Sequence, residues 1–327
     1  MKRVFFIFLG LSILFLGLIV ADILIGSTLI PISSIWEEDS LANHILWQLR
    51  IPKAITAVLA GAALSMSGTM MQTLFRNPLA GPYILGVSSG ASLGVAFLTM
   101  CTSVLGMVSA GSGAIATSAI IGATLVLLLV LALSGKVKSN VSLLIVGMMI
   151  GSIAGALVNV MQNIANPDAL KLFITWTLGS LSSVGWAELR IMTPVLLIGT
   201  MLVLLLVKPL NGLLLGENYA RSLGIHLGRT RLGIVLATSL LAGGVTAWCG
   251  PIAFIGTAVP HLARGVMQTS NHRITLPACG LFGANLLLAC DIIVSLFTYG
   301  WGIYLPISTV SSIIAGPMIV WIIIKNK

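Results

Sequence analysis

An all-α, polytopic integral membrane protein of about ten transmembrane helices is the fold class this sequence predicts, and three observations carry that prediction. The 327 residues are 57% hydrophobic and only 8% charged, whereas a soluble domain carries roughly a quarter charged residues. The apolar residues fall in long charge-free runs, at 4–21, 54–75, 77–135, 139–167, 191–207, 232–263, 274–290 and 292–324. A span needs about 20 residues, so the three longest runs must each fold back, which brings the count to about ten. The third observation is the sorting of charge. With the N-terminus in the cytoplasm and the spans alternating, 13 of the 17 basic residues fall inside. Arg50, Lys53, Lys171 and Arg190 fall outside, together with Glu37, Glu38, Asp39, Asp168 and Glu188. This is the positive-inside distribution. It accounts for the net charge of +9 without a nucleic-acid partner. Residues 1–327 therefore read as one transmembrane domain of a cell membrane, with both termini cytoplasmic.

Taken in order, the predicted spans are 4–24, 50–73, 84–101, 112–134, 141–164, 191–208, 231–249, 257–268, 277–297 and 307–324. The first follows Lys2 and Arg3 as a signal peptide would, but no small-x-small cleavage site follows it, so it is expected to be retained. The second ends where "RNPLAGP" (Arg76–Pro82) interrupts the apolar run. Pro78 and Pro82 break helix on both sides of Leu79 and predict a non-helical turn that only protein or water can shelter. In the third, Gly86, Gly90 and Gly94 recur every fourth residue, and in the fifth Gly147, Gly151 and Gly155 do the same, a spacing that lets helices approach closely.

The fifth span also places Ser152, Asn159 and Asn163 at helical spacing on one face. Uncharged polar groups at that depth must face protein or a water-filled path, so they predict interhelical hydrogen bonding or the wall of a conduit for a bulky solute. The stretch Asn166 to Arg190 is amphipathic and predicts an external interfacial helix at about 167–182, with Trp176 and Trp186 of the stretch at headgroup level. Residues 210–231 form the one sizeable loop on the inner side, with a short helical pattern, Glu217 through Leu223, stopped by Gly224. The eighth span is too short to cross alone and must be shielded by protein.

Catalytic signatures are absent from the sequence. It contains no G-x-x-x-x-G-K-[ST] and no H-E-x-x-H, and its four cysteines make no C-x-x-C pair, so neither a nucleotide site nor a metal site is expected. His44, His226, His261 and His272 fall at span ends or in loops. Asp291 alone is an acid deep within a span, which predicts either a proton-coupling carboxylate or a packing and capping group.

Six stretches in order resemble the permease subunits of ATP-binding-cassette importers for iron complexes and vitamin B12, the FecCD or BtuC family. They are "LRIPKAITAVLAGAALSMSGTMMQTLFRNPLAGPYILGVSSGASLG" (49–94), "WTLGSL" (176–181), "LLGENYARSLG" (214–224), "IAFIGTAVPHLAR" (252–264), "NHRITLPACGLFGANLLLACD" (271–291) and "LPISTVSSIIAGP" (305–317). The resemblance implies a BtuC-like importer fold in which two copies form a central pathway. It further implies two cytoplasmic ATPase subunits that hold ATP and magnesium, a substrate-binding protein outside, and no cofactor on this chain. It makes residues 214–225 a coupling helix, with Glu217, Ala220, Arg221 and Gly224 as ATPase contacts. It makes Asn77 and Leu79 one part of an inner gate, and Ser139, Asn140, Val141 and Ser142 the other. Arg50 and Lys53 become docking cations for the binding protein. Two positions depart from the family pattern: Ser295 stands where relatives often have arginine, and Ser308 where they have glycine. The substrate expected is an iron chelate or haem ahead of cobalamin, and a carrier or channel that works without an ATPase is the competing reading.

Overall fold

The computed structural model describes residues 2–26, 41–101, 111–134, 136–137 and 139–325; Glu37, Glu38, Asp39 and Lys138 lie outside them. Secondary structure among the described residues is helical throughout. The helices are α1 Lys2–Leu24, α2 Leu41–Phe75, α3 Val87–Ala96, α4 Ser112–Ser134, α5 Asn140–Ile164, α6 Pro167–Thr177 and α7 Trp186–Leu205. They continue as α8 Val207–Leu214, α9 Glu217–Ser222, α10 Leu227–Cys249, α11 Ile255–Met267, α12 His272–Trp301 and α13 Ile307–Lys325. Seven of these (α1, α2, α4, α5, α7, α10 and α12) are long and apolar enough to cross a membrane. Among the described residues two shorter apolar helices, over Val87–Met100 and Ile307–Val320, add to these seven, and α11 falls on the short eighth span that the sequence predicts.

The bundle is built around α2. Its face carries small residues because other backbones press against it. A Cβ on Gly61 would lie 2.2 Å from the Gly283 carbonyl oxygen of α12, and one on Gly68 only 1.7 Å from that of Gly256 in α11. In lipid, where apolar tails give no hydrophobic drive between helices, such close packing and interhelical hydrogen bonds supply the cohesion. Ser65 Oγ accordingly donates to the Cys279 carbonyl of α12 at 2.7 Å. Other buried hydroxyls bond carbonyls of their own helix, Thr56 to Pro52 O at 2.7 Å, Thr69 to Ser65 O at 2.9 Å and Thr73 to Thr69 O at 2.9 Å, and Thr69 and Thr73 also reach α12, at Cys279 Sγ (3.1 Å) and His272 (2.9 Å). α3 packs on α4 through Gly90 and Gly122, and Gly86 rests against Gly147 and Gly151 of α5, but Gly155 faces open space.

Several boundaries differ from the sequence expectation. α2 begins at Leu41, and Pro52 sits inside it. The π-helical turn Leu46–Arg50 just before the proline absorbs the missing N–H and the ring's clash with the preceding turn. α8 is a helix where a loop is expected. Pro209 falls in its first turn, where proline is tolerated, and Leu210 and Leu213 are buried. α12 starts five residues before its expected start because Asn271 caps it, its Oδ1 accepting the Arg273 N–H at 3.0 Å. The interfacial helix α6 ends at Thr177 rather than 182; Asn166 caps it through the Ala169 N–H at 2.8 Å. The coupling segment is helical only over Glu217–Ser222.

Candidate functional site

The residues that carry chemistry gather at the two ends of the bundle and along one stripe between them. At the basic end, α2 stops at Arg76, which adopts the left-handed conformation at φ 48° ahead of Pro78. A non-glycine residue there stores strain, and such strain persists where surrounding structure holds it. Asn77 Oδ1 accepts the Leu79 N–H at 2.9 Å and closes the turn. His261 Nε2 donates to the Pro78 carbonyl at 2.7 Å, tying the turn to α11. Gln72 reinforces the tie, donating to Thr257 O at 3.0 Å and accepting from Arg264. The Leu79 side chain is left 53% exposed at the tip.

The other candidate gate element is the start of α5. Ser139 Oγ accepts the Ser142 N–H at 3.0 Å and pairs with the Ser142 hydroxyl at 2.8 Å, so Ser142 belongs to the helix cap. Asn140 points elsewhere: its Nδ2 donates both to Leu74 O, in the last turn of α2, and to Glu217 Oε1, each at 2.7 Å. Glu217 opens α9 and is also bonded by Arg231 of α10, at 3.1 Å to Oε1 and 3.3 Å to Oε2. Arg76 reaches the Leu213 carbonyl of α8 at 3.4 Å. Arg76, Ser139, Asn140 and Glu217 border a cleft of about 610 Å³.

The C-terminus of α9 closes as a Schellman motif. Ile225 N–H bonds Ala220 O at 3.0 Å and Gly224 N–H bonds Arg221 O at 2.9 Å, with Gly224 at φ 77°. Ala220 is fully buried and the Glu217 carboxylate is turned into the protein, while Arg221 and Gly224 face outward. Tyr219 and Leu223, which sequence reasoning passed over, form an exposed apolar pair on the outer side. Their i,i+4 spacing was the available signal.

The α5 stripe faces away from the bundle. Ser152, Asn159 and Asn163 are all exposed. Ser152 Oγ bonds Met148 O at 2.9 Å and Asn163 Nδ2 bonds Asn159 O at 2.8 Å, so both satisfy themselves within α5. Met148, Met149, Ile153, Leu157 and Val160 beside them are also exposed.

At the opposite end, the two candidate docking cations are engaged internally. Arg50 is 8% exposed and donates to the last carbonyls of α1, Ile23 O at 3.0 Å and Leu24 O at 2.7 Å. A cation at a helix C-terminus satisfies orphan carbonyls and complements the dipole. Lys53 Nζ lies 2.8 Å from Asp291 Oδ2 and donates to Ser295 Oγ at 3.0 Å. Asp291 thus has a basic partner, 238 positions away in the chain, and Ser295 is a second acceptor for the same ammonium. Asp22, buried on α1, lies beside Asp291. A cavity of about 200 Å³ lined by Asp22, Gln48, Arg50, Lys53 and Ser182 opens at this end.

The model of the FecCD transport family matches residues 13–325. The chain belongs to the FecCD transport family. Among FecCD relatives, the vitamin B12 import system permease protein BtuC of Klebsiella pneumoniae is 34% identical over 318 residues, covering 97% of this chain and 93% of its own. The hemin transport system permease protein HmuU of Yersinia pestis is 35% identical over 286 residues, covering 87% and 84%. A solved metal-chelate-type ABC transporter in an inward-facing conformation superposes with a TM-score of 0.85 at 30% identity, over 98% of this chain and 99% of that one. PsaBC from Streptococcus pneumoniae, 16% identical with a TM-score of 0.54, shares the fold alone.

Proposed function

We propose that this FecCD-family chain is the transmembrane permease subunit of an ATP-driven importer for an iron chelate, haem or cobalamin, with its termini in the cytoplasm. The carrying observation is the extent of similarity: a protein named as an import-system permease and one named as a transport-system permease match along 97% and 87% of the chain. The arrangement of the basic end supports the same reading. A short, firmly capped helix, α9, presents Tyr219, Arg221 and Leu223 outward, as a subunit that hydrolyses ATP would need to grip it. The exposed stripe of Ser152, Asn159 and Asn163 supports a second copy of the chain: bonds within α5 use only one donor each of Ser152 and Asn163, and the polar atoms left facing outward find no partner in lipid, whereas a facing copy would enclose a wet path.

A carrier working without an ATPase would use Asp291 as a lone protonatable group. Its pairing with Lys53 at 2.8 Å argues against that reading. Reconstitution tests the proposal: uptake into proteoliposomes is expected only with the ATP-binding subunits, the binding protein and Mg-ATP together. Uptake driven by an ion gradient without those subunits would sink it. The substrate is read from the chelate that the cognate binding protein retains; retention of cobalamin alone would reverse the ranking of iron chelate or haem ahead of cobalamin.

Leu79 is the gate residue to test. Leu79→Ala removes an exposed apolar tip and is expected to raise passive leak or uncoupled ATP hydrolysis in the assembled complex. If leak and basal hydrolysis both match the wild type, Leu79 is no plug.

A further inference from the structure

We propose that Asn140 and Glu217, with Arg231 behind them, form a hydrogen-bonded strut that carries the position of α9 to the start of α5 and the end of α2; the proposal rests on the importer reading above. One side chain joins three elements. The Asn140 amide donates both its hydrogens at 2.7 Å, one to the Leu74 carbonyl of α2 and one to Glu217 Oε1 of α9. The ends it joins are the two candidate gate elements, since Leu74 lies five residues before Leu79 and Asn140 opens the α5 turn. Glu217 is not free to follow Asn140 passively, because Arg231 holds both its oxygens from α10. Nor can the chain on either side slacken easily. Gly216 before it adopts φ 116° and ψ 153°, a region essentially restricted to glycine, and the Schellman motif closes the helix behind it.

A charge-assisted bond within a partly buried site is short, directional and stronger than a neutral one. A displacement of α9 would therefore be felt at Leu74 and Asn140 before the bond broke. This makes Glu217 a positioning residue acting through Asn140, whereas Tyr219, Arg221 and Leu223 remain the exposed contacts of the same helix. Glu217 need not touch the ATPase to matter for transport.

The test uses the whole complex in proteoliposomes, measuring uptake per ATP hydrolysed and co-purification of the ATP-binding subunits. Asn140→Asp sets two carboxylates against each other, and Glu217→Gln loses the ion pair to Arg231. Each is expected to lower the uptake-to-hydrolysis ratio about fivefold or more, a modest coupling energy between sites, while the ATP-binding subunits still co-purify. Combining them restores a donor facing an acceptor between positions 140 and 217 with the polarity reversed, while the bond to Leu74 O and the ion pair to Arg231 stay lost, so the double variant is expected to be less impaired than the two single losses combined. A purely structural role would not produce that non-additivity.

Should Asn140→Asp fail to fold, Asn140→Ala and Arg231→Lys give the same cycle, and their effects are expected to be non-additive. Additive losses in either cycle, or loss of co-purification with Glu217→Gln, overturn the strut alone, provided the wild type shows ATP-dependent uptake. Wild-type uptake without the ATP-binding subunits overturns the importer reading, and the strut with it.

Discussion

Gly68→Val is expected to abolish the folded bundle. A Cβ at this position would stand 1.7 Å from the Gly256 carbonyl oxygen and 2.8 Å from its Cα, so the obstacle is backbone with no rotamer to adopt. The contact is equally tight from the other helix, since a Cβ on Gly256 would lie 2.5 Å from Pro82 Cδ and 2.8 Å from the Leu64 carbonyl oxygen of α2. Overpacking costs about 1–3 kcal/mol where side chains can yield; with backbone as the obstacle at Gly68 the loss lies at or above the top of that range. Size-exclusion profiles and thermal midpoints in detergent read the outcome. Gly280→Ala, whose nearest neighbours would be ordinary contacts at 3.8 and 4.0 Å, is the tolerated control. A monodisperse Gly68→Val protein with an unchanged midpoint would show that α2 and α11 are not locked together as described.

Breaking the Lys53–Asp291 pair is the second large effect expected. The side chains are 18% and 3% exposed, so Lys53→Met strands a buried carboxylate beside that of Asp22. Removing one partner of a buried ion pair costs about 3–5 kcal/mol, while replacing both with apolar residues is often neutral. The double variant Lys53→Met, Asp291→Leu should therefore melt close to the wild type, well above either single variant. Single variants that melt with the wild type would mean that the pair is already hydrated and contributes little.

Much of the fold was legible because a bilayer imposes a length and a polarity on each element. Charge-free runs marked the apolar helices, seven of them long enough to cross a membrane, and the capping residue Gly224 marked a real helix end. What stayed hidden depended on distant partners. His272 read as a loop residue because a polar group at a helix start looks exposed, yet it is buried, bonding Asn211 at 2.9 Å and Thr73 at 2.9 Å. Asp291 looked solitary because Lys53 is 238 positions away. The site was legible as a set of residues but not as a set of connections. Asn140 and Glu217 were named for separate roles, and nothing in local periodicity says that one amide would join them. Orientation was equally silent: the α5 stripe has the spacing of a helix face, and only the packing of Gly147 and Gly151 shows which way that face turns.

The attachment of α1 has a consequence for how this chain is put together. Little of the helix is buried, and the bilayer welcomes its Phe, Leu and Ile side chains as readily as the bundle does. Its anchors are polar and few: Arg3 to Gln268 at one end, Asn285 to Leu11 O at 3.2 Å midway, and Arg50 on the final carbonyls at the other end. Insertion into lipid and mooring to the bundle are thus separable events for α1. Mooring is a matter of orientation, in which three hydrogen-bonding stations fix the helix's height and rotation while greasy contact leaves both undetermined.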